Sequence, residues 1–145
     1  EIMLENLIVI DANFVLLPFQ FKIDYLYDID NSLEGRTVFI LFKQILDELE
    51  AKRLREPNAT KFSMNLKSGL LYLEKNNEKY NFVYNNMTKS IEETTDDFLV
   101  GNCQELKGKD KRVYLASNDA DLRRKMRKIG VSTIFLRQKK FLSFD

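Results

Sequence analysis

The sequence contains no histidine, no tryptophan and a single cysteine, Cys103. Without histidine the chain has no imidazole base, which excludes most catalytic triads and any zinc site built on imidazole. One cysteine excludes an internal disulfide framework and is typical of proteins in a reducing cytoplasm. A metal site in this chain must therefore be built from carboxylates, and such hard oxygen ligands favour Mg²⁺ or Mn²⁺.

Long apolar runs are also missing. No stretch of about eighteen consecutive apolar residues is present, and the amino terminus lacks the pattern of a signal peptide. The 145 residues, of which 44% are hydrophobic and 31% charged, have the composition of a soluble globular protein. This length suffices for one domain with its own core. We therefore expect a single domain over residues 1–145, located in the cytoplasm and without a membrane partner.

The net charge of +1 hides a segregation of charge along the chain. Residues 1–106 contain 11 Lys and Arg against 18 Asp and Glu, whereas residues 107–140 contain 12 Lys and Arg against 3 Asp and Glu. The basic residues occur in three runs, "KGKDKR", "RRKMRK" and "RQKK". Each run by itself is typical of a solvated surface, but three runs so close together favour contact with a polyanion.

Short apolar, β-branched runs alternate with amphipathic segments, which predicts alternating strands and helices. We predict strands over 7–11, 37–41, 80–84, 112–116 and 132–136, and helices over 24–33, 42–55, 60–75, 92–106 and 119–129. The stretch between the first strand and the first helix is interpreted as a loop containing Pro18. The pattern predicts a three-layer α/β/α fold with a central, mostly parallel sheet of four to five strands.

Two separate strands each bring an aspartate to their carboxyl end: Asp11 ends the first strand, and Asp119 belongs to "SND", which directly follows the strand over 112–116. The carboxyl ends of parallel strands are where active sites form in open sheets. For Asp119 the alternative is a role at the start of a helix, which Asn118 would cap with Asp121 in the capping-box position. For Asp11 we expect no helix start within reach, so the alternative is a local Asx turn.

Two predicted helices also carry candidate carboxylates. In "ILDELE", Asp47 points away from the apolar stripe and Glu48 and Glu50 flank it, at about 100° per residue. In "EETTDDFLV", Asp96 lies roughly 80° from the stripe and Asp97 nearly opposite it. Glu48 and Glu50 are therefore both candidates, and Asp96 is the better inward candidate of its pair. For any one of these acids alone, a solvated helix face or a first-turn acid is the favoured interpretation.

Four segments, in this order, resemble the PIN-domain nucleases: "LIVIDANF", "ILDELE", "TTDDFLV" and "LASNDADLRRKMRKIGVSTIFLRQKK". The likeness is greatest to the branch with archaeal PIN proteins and eukaryotic endonucleases that process pre-ribosomal RNA. The charged connection "QELKGKDKR" departs from the family pattern and leaves the choice between Asp96 and Asp97 open. The resemblance implies a PIN-like fold with catalytic and metal-binding acids at Asp11, Glu48, Asp96 and Asp119. It implies supporting residues at Asn13, Asp97, Ser117, Asn118 and Asp121.

The activity that the resemblance implies is hydrolysis of RNA phosphodiester bonds with Mg²⁺ or Mn²⁺ as cofactor, in ribosomal-RNA processing. The expected binding partner is then RNA, either structured rRNA or tRNA. By analogy with the family, the chain is also expected to form a homodimer. Candidates for phosphate contacts are Arg123, Arg124, Lys139 and Lys140. One alternative is a VapC-type toxin ribonuclease with a protein inhibitor. Another is a non-catalytic PIN scaffold that binds RNA.

Overall fold

The structure is a computed structural model and describes residues 3–145; Glu1 and Ile2, which the single-domain prediction includes, lie outside the described residues. Within the described part the chain forms six strands and seven helices. In chain order they are β1 Glu5–Ile10, α1 Ala12–Val15, α2 Leu17–Phe21, α3 Tyr25–Ser32, β2 Arg36–Phe42, α4 Lys43–Arg55, α5 Thr60–Lys75, β3 Asn81–Asn85, α6 Thr95–Leu106, β4 Lys111–Ala116, α7 Ala120–Lys128, β5 Ser132–Arg137 and β6 Phe141–Phe144. No helix among residues 3–145 combines the length and the apolar character that crossing a membrane requires.

The strands form one mixed sheet in the order β3-β2-β1-β4-β5-β6. The first five strands are parallel to their neighbours, and β6 runs antiparallel to β5. One group of helices, α1, α2, α4 and α5, packs together, while α6 and α7 pack on each other and over β4 and β5. The predicted fold class, a mostly parallel sheet flanked by helices, is confirmed.

The sheet has one strand more than the four to five predicted, because β6 was not recognised. It is only four residues long and follows the turn from Arg137 to Lys140, in which Gln138 and Lys139 have positive φ angles of 54° and 57°. Turns with two positive φ angles usually contain Asn-Gly or Asp-Gly. The run "RQKK" contains neither pair, so the sequence carried no signal for this hairpin.

The stretch interpreted as a loop with Pro18 folds into α1 and α2, and that interpretation is wrong. Pro18 lies in the first turn of α2. Backbone N–H groups in the first turn have no acceptor within the helix, so proline, which lacks this group, is tolerated there. Phe14, Val15 and Leu17 are fully buried, which accounts for part of the apolar character of this stretch, whereas Phe19 is exposed. Helices of four and five residues are too short to show the periodicity of a helix in the sequence.

The central strand β1 is the most deeply buried, with Ile8, Val9 and Ile10 all at 0% exposure. From β1 the chain moves to β2 and β3 on one side and later returns to β4 and β5 on the other. The sheet therefore reverses its strand order between β1 and β4. In parallel sheets such a switch point leaves a crevice at the carboxyl ends of the two strands, and ligands bind there.

Candidate active site

Asp11 follows directly after β1, and the segment 117–119 follows directly after β4. The two strands are neighbours, with Ile10 opposite Ala116. The expectation that Asp11 and Asp119 lie at the same edge of the sheet is therefore met. This edge is the crevice at the switch point.

The Asp11 carboxylate is 8% exposed and is held at both oxygens. Oδ1 accepts a hydrogen bond from the Ala12 amide at 2.8 Å, and Oδ2 accepts one from the Ser117 hydroxyl at 2.6 Å. Asp11 is thus the N-cap of α1. The expectation that no helix start lies within its reach is wrong, because α1 begins at the next residue.

Two asparagines tie the ends of β1, β4 and β5 together. The Asn13 amide group donates to Asp11 Oδ2 and to the Ser117 hydroxyl, each at 3.3 Å. Asn13 Oδ1 accepts a hydrogen bond from the backbone N–H of Asn118 at 2.9 Å, and Asn118 Oδ1 accepts one from the backbone N–H of Leu136 at 2.8 Å. The structure therefore brings Asn13, Ser117 and Asn118 together around Asp11.

Asp119, not Asn118, caps the last helix. Its Oδ1 accepts a hydrogen bond from the Leu122 amide at 3.1 Å, whereas the Asn118 side chain is already engaged with β5. The alternative in which Asn118 caps this helix, with Asp121 in the capping-box position, is therefore wrong, whereas the role of Asp119 at the start of the helix is confirmed. Asp121 is exposed and forms an ion pair with Arg124.

Glu48 is oriented by two polar side chains. The Thr95 hydroxyl lies 2.8 Å from both Glu48 carboxylate oxygens, and the Gln44 amide group donates to Oε2 at 3.1 Å. Gln44 is itself fixed, because its Oε1 accepts from the Lys89 amide at 3.0 Å. The exposed Asp47 pairs instead with Lys43. The helical-wheel distinction between Glu48 and Asp47 agrees with this arrangement.

Asp96 and Asp97 differ in position. Asp96 lines the same cleft as Asp11, while Asp97 is exposed and lines neither that cleft nor the smaller cavity beside it. The ammonium group of Lys125 lies 3.3 Å from Asp96 Oδ2. Of the two alternatives left by the sequence, Asp96 is the residue with access to the cleft.

The four acids line one cleft of about 470 Å³, to which β1, α1, α4, α5, α6 and α7 or the residues beside them contribute. Its lining consists of Asp11, Ala12, Asn13, Leu16, Glu48, Leu49, Ala51, Lys52, Arg55, Phe62, Thr95, Asp96 and Asp119. A larger cavity, of about 710 Å³, lies over β2 and β3 and has Glu5 as its one acidic residue. The chemistry therefore points to the smaller cleft.

Burial raises the pKa of the Asp11 carboxyl, and the negative charges of Asp119 and Asp96 raise it further. The hydrogen bonds from Ser117 and Ala12 oppose this shift only in part. A cation among these acids would stabilise the ionised form. The donor set, made of carboxylate oxygens, fits Mg²⁺ or Mn²⁺. Within residues 3–145, however, no three acidic or cysteine side chains lie close enough together to hold one ion.

Basic side chains of α7 border the acids on one side. Arg124, Lys125 and Lys128 line a second cavity of about 260 Å³, together with Asp96, Asp119 and Asp121. Of the predicted phosphate contacts, Arg124 belongs to this group.

The other predicted phosphate contacts lie outside both cavities. The Arg123 guanidinium lies 3.9 Å from the centre of the Phe135 ring, and burial lowers its pKa. Lys139 and Lys140 are exposed around the turn before β6 and line neither cavity. Arg123 lies beside the acids, with its Nη1 3.5 Å from the Ser117 carbonyl oxygen, but lines neither cavity. The structure does not bring Lys139 and Lys140 to either cavity.

Sequence reasoning missed Thr95, Lys52, Arg55 and Phe62. A signal for two of them exists, because Glu48, Lys52 and Arg55 have the spacing i, i+4 and i+7 of one helix face. Thr95 and Phe62 meet this face only through contacts between helices, which no local pattern reports.

A family model described as "PIN like domain" matches residues 8–139. Among solved structures, the chain is similar to that of the PIN domain endonuclease Utp24, with a TM-score of 0.67 and 21% identity over 96% of this chain and 90% of that one. It is also similar to a domain of a functionally unknown protein from Methanocaldococcus jannaschii DSM 2661, with a TM-score of 0.59 and 13% identity over 90% of this chain and 91% of that one. At these identities the likeness shows the fold alone. No curated protein matches the chain.

Proposed function

The chain belongs to the PIN-like domain family, and from this membership we propose that it is a divalent-metal-dependent endoribonuclease. The observation that carries the proposal is that Asp11, Glu48, Asp96 and Asp119, from four separate parts of the chain, line one cleft. Family membership and the fold shared with an endonuclease support a nuclease. Metal dependence and RNA as substrate are the parts of the proposal that need experiment.

In this proposal Asp11 and Asp119 are metal ligands, and Glu48 and Asp96 are ligands or orient bound water. A bound Mg²⁺ or Mn²⁺ would supply an activated water and stabilise the oxygen that leaves the phosphorus. The protein's part is to hold the acids in place. Ser117 and Asn13 fix the orientation of Asp11, while Thr95 and Gln44 fix that of Glu48. Such supporting hydrogen bonds keep carboxylates ready for a cation.

The distribution of cations supports a polyanionic substrate. Lys52 and Arg55 border the acids on the α4 side, and Arg124, Lys125 and Lys128 border them on the α7 side. The phosphates of a nucleic-acid strand lying across the cleft would contact cations on both sides of the acids. Such contacts position the backbone without reading its sequence. The motif resemblance is what extends the proposal to ribosomal-RNA processing.

A second candidate function is a non-catalytic scaffold that binds RNA. The observation in its favour is that, among residues 3–145, no three acidic side chains lie within reach of one ion. In this case the basic borders would bind RNA and the acids would perform no chemistry.

The test is cleavage of a structured RNA by the purified chain with Mg²⁺ or Mn²⁺. We expect EDTA to abolish cleavage and added Mn²⁺ to restore it. Asp11→Asn should lower the rate by about 100-fold or more, because a metal ligand is lost. Asp47→Asn is the matched control, since Asp47 lies on α4 outside the cleft. RNA binding without any metal-dependent cleavage would overturn the enzyme and favour the scaffold.

A further inference from the structure

Part of the lining of the cleft is apolar. Ala12, Leu16, Leu49 and Phe62 form its surface, next to the carboxylates of Asp11 and Glu48. Phosphodiester hydrolysis by carboxylates does not require this apolar wall. Leu16 is half-buried although the residues on either side of it are fully buried, so part of its side chain faces the cleft rather than the core.

Two cations, Lys52 and Arg55, line the cleft together with these apolar side chains. Lys52 and Arg55 lie on the same face of α4 as Glu48, about 6 Å and 10 Å further along the helix axis at a rise of 1.5 Å per residue. Neither forms an ion pair with any residue of the described range 3–145. On the other face of the helix, Arg53 is paired with Glu50. Among the cations of α4, the two without an ion pair in the described range are therefore the two that line the cleft.

The aromatic ring of Phe62 lies directly beneath one of these cations. The Lys52 ammonium is 4.7 Å from the centre of the ring, and the ring is half-buried. An aromatic surface, an aliphatic surface and two available ammonium or guanidinium groups thus lie together beside the acids. A nucleotide has the matching chemistry, since its base has a flat face and its phosphate is an anion.

From this geometry we propose that the wall formed by Leu16, Phe62, Lys52 and Arg55 is a subsite for one unpaired nucleotide next to the scissile phosphate. The base displaces the exposed Lys52 ammonium from the face of the Phe62 ring and lies against Phe62 and Leu16, and its phosphate contacts the displaced Lys52 and Arg55. The base must be unpaired, because in a duplex its faces are covered by neighbouring bases. The cleft volume of about 470 Å³ is within the range of pockets that hold small organic groups. This inference rests on the proposed nuclease function.

The test measures binding rather than cleavage. Three labelled probes of equal length are titrated against the full chain in EDTA by fluorescence anisotropy: single-stranded RNA, the same RNA in a duplex, and a strand with abasic sites throughout. The abasic strand retains the phosphates and lacks the bases. We expect the wild type to bind the single strand about fivefold or more tightly than either other probe.

Substitutions then separate the two parts of the subsite. Phe62→Ala should weaken binding of single-stranded RNA about fivefold to tenfold and leave the abasic strand unchanged. Lys52→Gln combined with Arg55→Gln should weaken both strands by a similar factor, because both carry the phosphates. Leu54→Ala and Lys67→Gln are the matched controls, since both residues are exposed on α4 or α5 outside the cleft, and both should bind like the wild type.

Phe62 also packs against the core, so Phe62→Leu serves as a second variant that keeps an apolar side chain, and melting curves check the fold of each. Equal binding of base-bearing and abasic strands by the wild type, or tighter binding of the duplex, overturns the subsite. Unchanged RNA binding in a folded Phe62→Ala or Phe62→Leu chain overturns it as well. Cleavage by the wild type in these cases leaves the nuclease proposal standing. Base-dependent binding that Phe62→Ala weakens, without metal-dependent cleavage, has a different meaning: nucleotide binding at this surface stands, while the nuclease proposal and the position next to a scissile phosphate are both overturned.

Discussion

At the scale of single residues, the Asp11 carboxylate carries the largest electrostatic conflict of the site. Burial and the charges of Asp119 and Asp96 raise its pKa, so the folded protein favours the protonated form. The stability that this form contributes is fully present below the unfolded pKa of about 3.9 and is lost as the pH rises through the folded pKa. At neutral pH the ionised Asp11 therefore costs stability.

We predict that Asp11→Asn gains stability relative to the wild type as the pH rises above about 4, because the neutral amide avoids the cost of a buried charge. Urea denaturation at pH steps from 4 to 7 in EDTA measures the difference. Added Mn²⁺ should reduce the difference at pH 7, since a bound cation stabilises the ionised carboxylate of the wild type. A difference that does not change with pH would contradict the electrostatic interpretation.

Two adjacent threonines have different tasks at the start of α6. The Thr94 side chain accepts a hydrogen bond from the Asp97 amide at 3.1 Å and caps the helix. The Thr95 hydroxyl donates to the Glu48 carboxylate across the cleft. Thr94 thus stabilises the start of α6, and Thr95 positions the carboxylate of Glu48.

We expect Thr95→Val to lower kcat/KM for RNA cleavage about tenfold or more, because Glu48 loses the group that orients it, with little change in stability. Thr94→Val should lower the free energy of unfolding by about 1 kcal/mol through loss of the cap and leave cleavage unchanged. Each variant is the control for the other. If both changed stability alone, the positioning role of Thr95 would be refuted.

At the scale of elements, the close packing of α1 and α5 positions the apolar end of the cleft. A Cβ atom added at Gly69 of α5 would lie 1.8 Å from the carbonyl oxygen of Val15. Gly69 therefore permits a contact between backbones that any side chain would prevent. Gly101 of α6 differs, since a Cβ atom there meets nothing within 4 Å.

We predict opposite effects for the same substitution at these two glycines. Gly69→Ala should destabilise the protein by about 1–3 kcal/mol, because α1 and α5 must separate. Gly101→Ala should stabilise it by up to about 1 kcal/mol, because alanine has the higher helix propensity. Thermal and urea denaturation measure both. A neutral Gly69→Ala variant would contradict the close approach of the two helices.

At the scale of the whole molecule, the basic residues that are concentrated in 107–140 of the sequence divide into two groups in the structure. The basic residues of 107–140 include Arg124, Lys125 and Lys128, which α7 places beside the acids. The turn with Lys139 and Lys140 lies outside both cavities. The basic region thus has a part at the site and a part away from it.

We expect the affinity for single-stranded RNA to fall as the salt concentration rises. Combining Arg124→Gln with Lys128→Gln should reduce the slope of log affinity against log salt by about 1.4, because each lost phosphate contact reduces it by about 0.7. Lys139→Gln combined with Lys140→Gln removes the same charge and should reduce the slope less. Anisotropy titrations between low and physiological salt give both slopes. Equal slopes in the α7 variant and the wild type would rule out α7 as an RNA contact.

The sequence by itself determined most of the secondary structure and the fold class, because strands and long helices are local patterns. Strand ends and helix faces offered Asp11, Glu48, Asp96 and Asp119 among other acids, and the resemblance to the PIN-domain nucleases selected these four as a set. These signals need no knowledge of the partner element. The short helices α1 and α2 and the strand β6 lack such a period, and for this reason they were missed.

Only the tertiary structure decided what surrounds each acid. The partners of Asp11 and Glu48 are Ser117, 106 positions away, and Thr95, 47 positions away. Asp119 caps α7 because the side chain of Asn118 bonds to β5 instead. The apolar wall of the cleft likewise forms where α1, α4 and α5 meet. Such contacts depend on how the elements pack, and the sequence pattern within each element carries no record of the neighbour that it will meet.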